Sequence, residues 1–568
     1  MTADISAGRT VHGGWRAVLT GLLEAGVREV FGLPADDLDA LVVADELGLN
    51  FTVCRDQRNA VFMATGYAMQ SGELGVAVVG KGPAVTNTMT GLLEARYSAA
   101  PVLLLCAGTA PAARGSGAFQ EFDQLTMARS VAKWAERVDD PGRVLPMLRR
   151  AMRVAGHGAP GPVYLELPDH LREVDIPFGG RWYPVERSVS NGMDEHSAAL
   201  AAIRAAHRPL VLVGGGMRTR GAREVIGRFA EHIGAAVACT ASGRGSVDES
   251  LSSFIGLSGL YCPDTVQALW QDTDCVVVLG SRLEETATFG WPDRLRTEGA
   301  VVQVNVDPVE FNTDFAGPVV LGDASAVLSD WLRQVPAAAG WSGKVRELNA
   351  ALHDEHAANM EKLSAQPELS ILEVLHALDQ TLPADRILVQ ENGLQDMWSY
   401  RFPAWRCAGN GGSIVPSEQT SLGYGAAAAV GVRKAAPDRP VVAFVGDGAF
   451  AMFDADLPTA REVGGLLYVV LCNGGYGWLQ AQLGKHEGVS ARYSFVDPDA
   501  VGPRGASIEG VHQIVADDKQ SLGDCVARAW ALCERGDVVV LTVPARLEDA
   551  MFAPEELAGE FPQPKSEF

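Results

Sequence analysis

The triplet Gly446-Asp447-Gly448 stands where an apolar run, 441–445, gives way to a helical stretch beginning near Ala449. A second apolar run, 467–471, ends on Asn473-Gly474-Gly475-Tyr476-Gly477. In a parallel sheet both turns fall at the carboxyl ends of adjacent strands, where open α/β sheets bind their ligands. The Asp447 carboxylate, the Asn473 amide oxygen and a backbone carbonyl near Gly475 are hard oxygen ligands. Mg²⁺ takes such ligands octahedrally and completes its shell with phosphate oxygens and water. A helix opening at this point predicts that the N–H groups of Gly448 and Ala449 face the same phosphates.

Two other patterns carry less chemistry. Gly214-Gly215-Gly216 follows an apolar run, with Gly221 further on. A dinucleotide turn needs regular glycine spacing and an acidic residue closing the next strand, and neither is present. The pattern predicts a tight strand–helix turn. His353 and His356 lie one helical turn apart, with Asp354 and Glu355 between them and no third ligand at metal-site spacing. They read as a solvated helix face.

The elements that position these residues form three blocks, each alternating short β-rich runs with helical stretches. The first spans 10–185, with a helix near 15–25 and strands at 29–31, 75–79, 102–106 and 162–167. The second spans 194–335, with strands at 210–213, 276–279 and 301–306; the third spans 368–550, with strands at 387–390, 441–445, 467–471 and 538–543. Strands separated by helices predict an α/β fold of three domains, each a parallel sheet covered by helices. A glycine-bearing linker lies at 177–193, a charged helical connector at 342–365 and an extended tail after Met551.

Composition bounds the rest. The 568 residues are 47% hydrophobic and 21% charged, which is globular and excludes bulk disorder. A net charge of −23 argues against nucleic acid as a partner, because that affinity rests on Lys and Arg. No run of about 18 apolar residues predicts a membrane span. The N-terminus lacks a signal-peptide core, and the nine cysteines are scattered without a CxxC pair. Reduced, mostly buried thiols and a cytoplasmic location follow as expectations.

With these residues in place, the sequence resembles the thiamine-diphosphate enzymes of the acetolactate synthase, pyruvate decarboxylase and benzoylformate decarboxylase group, over nearly the whole chain. The Gly446–Asn473 stretch is similar to the family's cofactor motif, with Cys472-Asn473 where an Asn-Asn pair is usual. Phe31-Gly32-Leu33-Pro34 resembles the first strand and turn, and Arg55 to Gly66-Tyr67-Ala68 the segment that carries an activating glutamate. Gly82-Pro83-Ala84-Val85-Thr86-Asn87 resembles the glycine-rich turn over the aminopyrimidine, and Ala118-Phe119-Gln120-Glu121 a substrate-side loop of the synthases. Ser421-Leu422-Gly423-Tyr424-Gly425 resembles the segment whose apolar residue props the cofactor into its bent shape.

The resemblance implies pyrimidine-binding, central and diphosphate-binding domains, with thiamine diphosphate and Mg²⁺ as cofactors. It implies Asp447, Asn473 and Gly475 as metal ligands, and Pro34, Asn87, Gln395, Thr420, Leu422, Gly446, Gly448, Ala449 and Tyr476 as cofactor contacts. Sites shared between the first domain of one subunit and the third of another imply a homodimer or homotetramer. Some relatives hold FAD on the central domain, which Gly214–Gly216 does not establish here.

One departure bears on mechanism. The residue two places after Arg55, a glutamate in the family, is Gln57, flanked by Asp56 and Arg58. The glutamate protonates N1′ of the aminopyrimidine, which prepares the 4′-nitrogen to remove the thiazolium C2 proton. A glutamine amide can hydrogen-bond N1′ but has no proton to give. Asp56 as a substitute acid is disfavoured, since neighbours on an extended segment point to opposite faces. Asp36, two after Pro34, falls where pyruvate decarboxylases carry a catalytic aspartate, or else caps a helix. Lys81, beside Gly82-Pro83, faces the thiazolium to hold a substrate carboxylate, or else is a solvated loop lysine. With Gln120 and Gln57 these complete the catalytic candidates. The paired histidines of pyruvate decarboxylases are missing around Gly117–Gln120. The implied reaction is decarboxylation of a 2-oxo acid followed by carboligation to an acceptor carbonyl. The alternatives are simple decarboxylation or C–C cleavage, and a homologue that binds the cofactor without turnover.

Overall fold

The computed structural model describes residues 9–34, 38–180, 182, 193–218, 221–497, 499, 508–544 and 546. The apolar runs become three six-stranded sheets, parallel throughout. The first holds β1 (Glu29–Leu33), β2 (Asn50–Val53), β3 (Gly75–Val79), β4 (Val102–Gly108), β5 (Trp134–Arg137) and β6 (Val163–Pro168), in the order β2-β1-β3-β4-β6-β5. The second holds β7 (Pro209–Val213), β8 (Ala236–Cys239), β9 (Phe254–Leu257), β10 (Cys275–Leu279), β11 (Val301–Asn305) and β12 (Val319–Leu321), in the order β9-β8-β7-β10-β11-β12. The third holds β13 (Ile387–Gln390), β14 (Gly412–Ile414), β15 (Val441–Gly446), β16 (Leu466–Cys472), β17 (Val511–Val515) and β18 (Val538–Pro544), in the order β14-β13-β15-β16-β18-β17.

Strands such as Val-Leu-Leu-Leu-Cys and Leu-Leu-Tyr-Val-Val-Leu-Cys are buried along their whole length. A parallel sheet covered on both faces requires this near-continuous apolarity. The helices that position the candidate residues are α1 (Gln57–Ser71), α2 (Pro83–Asn87), α3 (Leu394–Tyr400), α4 (Tyr424–Ala435) and α5 (Asp447–Phe450). The charged connector is a helix, Ser342–Ser364. The tail after Met551 and most of the linker lie outside the described residues.

By compactness the chain forms two units that cut across the three blocks. The first comprises Met1–Arg187, Pro416–Asp438 and Ala455–Val463; the second comprises Ser188–Val415, Arg439–Asp454 and Gly464–Phe568. Helix α4 therefore belongs with the first sheet's unit, although it lies within block three of the sequence. The cause is its small-residue surface against α1. A Cβ on Gly66 would sit 2.3 Å from the carbonyl oxygen of Ala428, and one on Gly431 would sit 1.8 Å from that of Met63. Only glycine permits these two backbones so close.

In the second unit, Arg244 and Glu249 form a fully buried ion pair of 3.2 Å. The guanidinium also donates to the carbonyls of Ser399 and Trp405, and Glu249 accepts the N–H of Cys407 at 2.9 Å. This fastens the second sheet's loops to the segment that carries α3. The described cysteines are all free thiols, seven of them buried. No helix among the described residues is long and apolar enough to cross a membrane.

Candidate active site

In the first unit the candidate residues gather at the carboxyl ends of the strands. Pro34 follows β1 and is half-buried, whereas Asp36 lies outside the described residues. After β2 the chain enters α1, with Asp56 as N-cap: its carboxylate accepts the N–H of Arg58 at 2.8 Å. Gln57 is therefore the first residue of a helix and not part of an extended segment. The expectation that Asp56 and Gln57 diverge is overturned, because one amide ties them together. Asn87, the last residue of α2, donates from Nδ2 to Gln57 Oε1 at 2.8 Å and to Asp56 Oδ1 at 3.2 Å.

Lys81 is not a solvated loop lysine. Its ammonium lies 2.6 Å from Asp169, which follows β6, and only 17% of the side chain is exposed. Gly82 donates its N–H to Gln124 Oε1 at 2.9 Å, and Gln124 in turn donates to the Ala107 carbonyl at 2.8 Å. Gln120, exposed and held at φ 57°, lays its backbone against Gly82: a Cβ there would be 2.8 Å from the Gln120 carbonyl oxygen. The following Glu121 accepts N–H bonds from Gly115, Gly117 and Ala118, and these donors hold its carboxyl below the usual carboxylate range.

Thr420, exposed at φ 45°, and half-buried Leu422 also belong to this unit, since 416–438 packs with α1. Their loop is clamped by a residue the sequence reading missed. Glu94, fully buried, accepts the N–H groups of Ser417 and Ser421. A second missed carboxylate is Asp456, which accepts the Arg55 N–H at 2.6 Å and Asn59 Nδ2 at 2.7 Å, and whose pKa burial raises. The available signal for Glu94 was a lone acid within the run Met-Thr-Gly-Leu-Leu-Glu-Ala-Arg-Tyr.

The second unit brings the metal candidates together. β15 and β16 pair side by side, with Gly446 level with Leu471, so their ends release Asp447 and Asn473 next to one another. Asp447 is buried; its Oδ1 accepts the Gly448 N–H at 3.0 Å and its Oδ2 the Gly474 N–H at 2.9 Å. Asn473 Oδ1 accepts the Gly475 N–H at 3.3 Å. A Cβ on Gly448 would meet the Gly475 carbonyl oxygen at 2.8 Å and the Tyr476 ring at 2.9 Å. Glycine at 448 thus lets the carbonyl of 475 approach the residue after Asp447, and Gly475 itself needs φ 154°. The remaining candidates are buried Ala449, exposed Tyr476, and buried Gln395, whose Nε2 donates to the Glu391 carbonyl at 2.9 Å. A Cβ added to Gly446 would meet only Gln395 Oε1, at 3.7 Å, so the backbone there is open to a ligand.

Two expectations need correction. The Gly448 N–H is spent on Asp447 and does not face outward, and α5 is a single turn, Asp447–Phe450, too short for a long helix's N-terminal field. The glycines at 214–216 form the expected tight turn between β7 and the helix Ala222–Ile233: a Cβ on Gly214 would be 2.4 Å from the Gly280 carbonyl oxygen, which also accepts the Gly216 N–H. His353 and His356 are half-buried rather than solvated, with His353 edge-on to Phe402 and His356 near His376; burial lowers the pKa of His356 to about 4. Among the described residues no cluster of three or more His, Cys, Asp or Glu side chains is placed for a metal. The Asp447–Asn473–Gly475 set instead consists of one carboxylate and neutral oxygens. This suits a hard ion that completes its shell with phosphate.

Three family models match the chain. They are the N-terminal thiamine pyrophosphate binding domain over 14–127, the thiamine pyrophosphate enzyme central domain over 196–331 and the C-terminal binding domain over 391–542. The chain belongs to the thiamine pyrophosphate enzyme family. Within it the chain is similar to acetolactate synthases. The isozyme 2 large subunit of Escherichia coli is 28% identical over 78% of this chain and 80% of its own. An acetolactate synthase of Arthrospira platensis is 27% identical over 88% of each chain. A probable large subunit of Methanocaldococcus jannaschii is 27% identical over 81% of this chain and 79% of its own. The N-terminal match covers Pro34, Gln57, Lys81, Asn87 and Gln120, and the C-terminal match covers Gln395, Thr420, Leu422, Asp447, Asn473 and Gly475.

Proposed function

We propose that the chain is a thiamine-diphosphate- and Mg²⁺-dependent enzyme that decarboxylates a 2-oxo acid and joins the remaining fragment to a second carbonyl compound. The observation that carries this reading is the convergence of Asp447, Asn473 and the Gly475 carbonyl at two adjacent strand ends. Those oxygens would hold Mg²⁺ against a diphosphate, with Gly446 and Gln395 beside it. When bound, thiamine diphosphate supplies the electron sink for loss of CO₂. Gln57 offers its amide to the pyrimidine edge, and Leu422 an apolar support. Lys81 retains further N–H donors beyond its bond to Asp169, which suits a substrate carboxylate. Acceptor chemistry is supported by the likeness to acetolactate synthases over 78–88% of the chain. The reading includes a cytoplasmic homodimer or homotetramer in which each site draws its two halves from different copies. FAD is not part of it.

Gln57 favours one competing reading, a protein that holds the cofactor with little turnover. General acid–base groups contribute about 10²–10⁴ in rate, so the loss of the glutamate is large without being prohibitive. A panel of 2-oxo acids with thiamine diphosphate and Mg²⁺, assayed for CO₂ with and without an added aldehyde or second 2-oxo acid, separates the outcomes. The expected result is CO₂ release with a C–C product that depends on the acceptor. Release without such a product makes the protein a simple decarboxylase. Cofactor binding with no release from any donor overturns the proposal in favour of the competing reading.

A further inference from the structure

Three polar side chains in the first unit leave only one consistent assignment of donors and acceptors. Asp56 is an acceptor at the N-cap of α1, since its Oδ1 already takes the Arg58 N–H at 2.8 Å. The Asn87 atom 3.2 Å from that oxygen must therefore be the NH₂ nitrogen. The same nitrogen lies 2.8 Å from the Gln57 carboxamide, so the Gln57 atom facing it must be the oxygen. Turning Asn87 over would set its oxygen against the Asp56 carboxylate and forfeit that bond, even if the Gln57 amide turned with it. Hydrogen bonds to charged groups are stronger than neutral ones, which makes the reversed state a minor one. What remains is Gln57 Nε2, a pair of N–H groups on a half-buried side chain. Among the described residues it has no partner.

We infer that Asp56 and Asn87 act as positioning residues that lock Gln57 as a pure hydrogen-bond donor, so that this site binds the aminopyrimidine with N1′ as an unprotonated acceptor. The inference rests on the cofactor reading above and adds the protonation state that the site selects. It also accounts for a glutamine at this place. A glutamate at 57 would bring a second carboxylate onto the one Asn87 NH₂ group that Asp56 already uses, and two carboxylates on one site repel. With Asp56 at the cap, the neutral isostere keeps the Asn87 bond without that repulsion.

The test is nitrogen NMR of thiamine diphosphate isotopically labelled at N1′, bound to the full-length Mg²⁺-loaded protein at neutral pH. Bound wild type is expected to show N1′ at the unprotonated position, moved only by an accepted hydrogen bond. Gln57→Glu is expected to move it toward the protonated position. Asn87→Asp replaces the donor facing Gln57 with an acceptor and so turns the Gln57 amide around. The ring would then face an oxygen, and N1′ is expected to move in the same direction as in Gln57→Glu. A merely structural role for Asn87 would leave the N1′ resonance where wild type has it, and that result overturns the inference. So does a protonated N1′ in wild type. A protein that binds no labelled cofactor overturns the proposed function itself, a distinct outcome visible before any shift is read.

Discussion

Asp447 is a carboxylate taken out of water and steadied by the backbone N–H groups of Gly448 and Gly474. Burying an anion is costly unless it is paired or coordinates a metal, which supports the proposed role of Asp447 as a Mg²⁺ ligand. Asp447→Asn preserves shape and an acceptor oxygen but removes the charge. It is expected to weaken Mg²⁺-dependent thiamine diphosphate binding by more than the about 10–100-fold that losing an outer-shell partner costs. Calorimetric titration of the cofactor at fixed Mg²⁺ checks this, and unchanged affinity would remove Asp447 from the metal site. Of the residues read from sequence, those tied to a motif with its own physical logic emerged in contact: Asp447 with the Asn473–Gly475 turn, and Gln57 with Asn87. Glu94, Asp456 and Asp169 were not legible, because each acts on a loop distant in sequence and single acids carry no periodic signal.

At the scale of elements, α1 and α4 touch backbone to backbone through glycine. Gly66→Ala forces a Cβ to within 2.3 Å of the Ala428 carbonyl oxygen. Overpacking of this kind costs about 1–3 kcal/mol, read as a lower urea midpoint with an unchanged slope. Helix α3 gives a pH signature. Asp396 is buried, which pushes its pKa up to about 7, while its Oδ1 accepts the N–H groups of Gly393 and Met397. The folded chain holds a proton there that the unfolded chain releases near pH 4. This group's contribution is therefore complete below about pH 4, and stability falls by about 1.4 kcal/mol per pH unit as pH rises toward 7. Asp396→Asn retains both N–H bonds and is expected to flatten that fall in urea titrations at several pH values; an identical slope would place the proton elsewhere. Element recovery followed burial. The four inner strands of the first and third sheets read directly as apolar runs, whereas the edge strands, such as Asn-Phe-Thr-Val and Val-His-Gln-Ile-Val, did not. Edge strands bury less and so need less apolarity. Ala236–Cys239, an inner strand, was missed because it is short and half alanine.

For the molecule as a whole, the candidate residues divide between two compact units, with Gln57, Asn87 and Lys81 in one and Asp447, Asn473 and Gln395 in the other. Each unit exposes large apolar side chains near its candidate residues: Phe119, 71% exposed, beside Gln120, and Tyr493 and Phe495 near Tyr476. The proposed pairing of copies would cover these side chains. Sedimentation of the protein with thiamine diphosphate and Mg²⁺ is expected to show a dimer or tetramer; a monomer that binds the cofactor fully would contradict sites shared between copies. The proposed function requires that these residues form a working thiamine-diphosphate site despite glutamine at position 57. Its most direct measurement is the rate at which the C2 proton of the bound cofactor exchanges for deuterium in the Mg²⁺-loaded protein. Exchange is expected to be faster than in free cofactor, and faster again in Gln57→Glu by up to the about 10²–10⁴ that an acid–base group supplies. Exchange at the free-cofactor rate in the wild-type protein, with and without a substrate analogue bound, would contradict it.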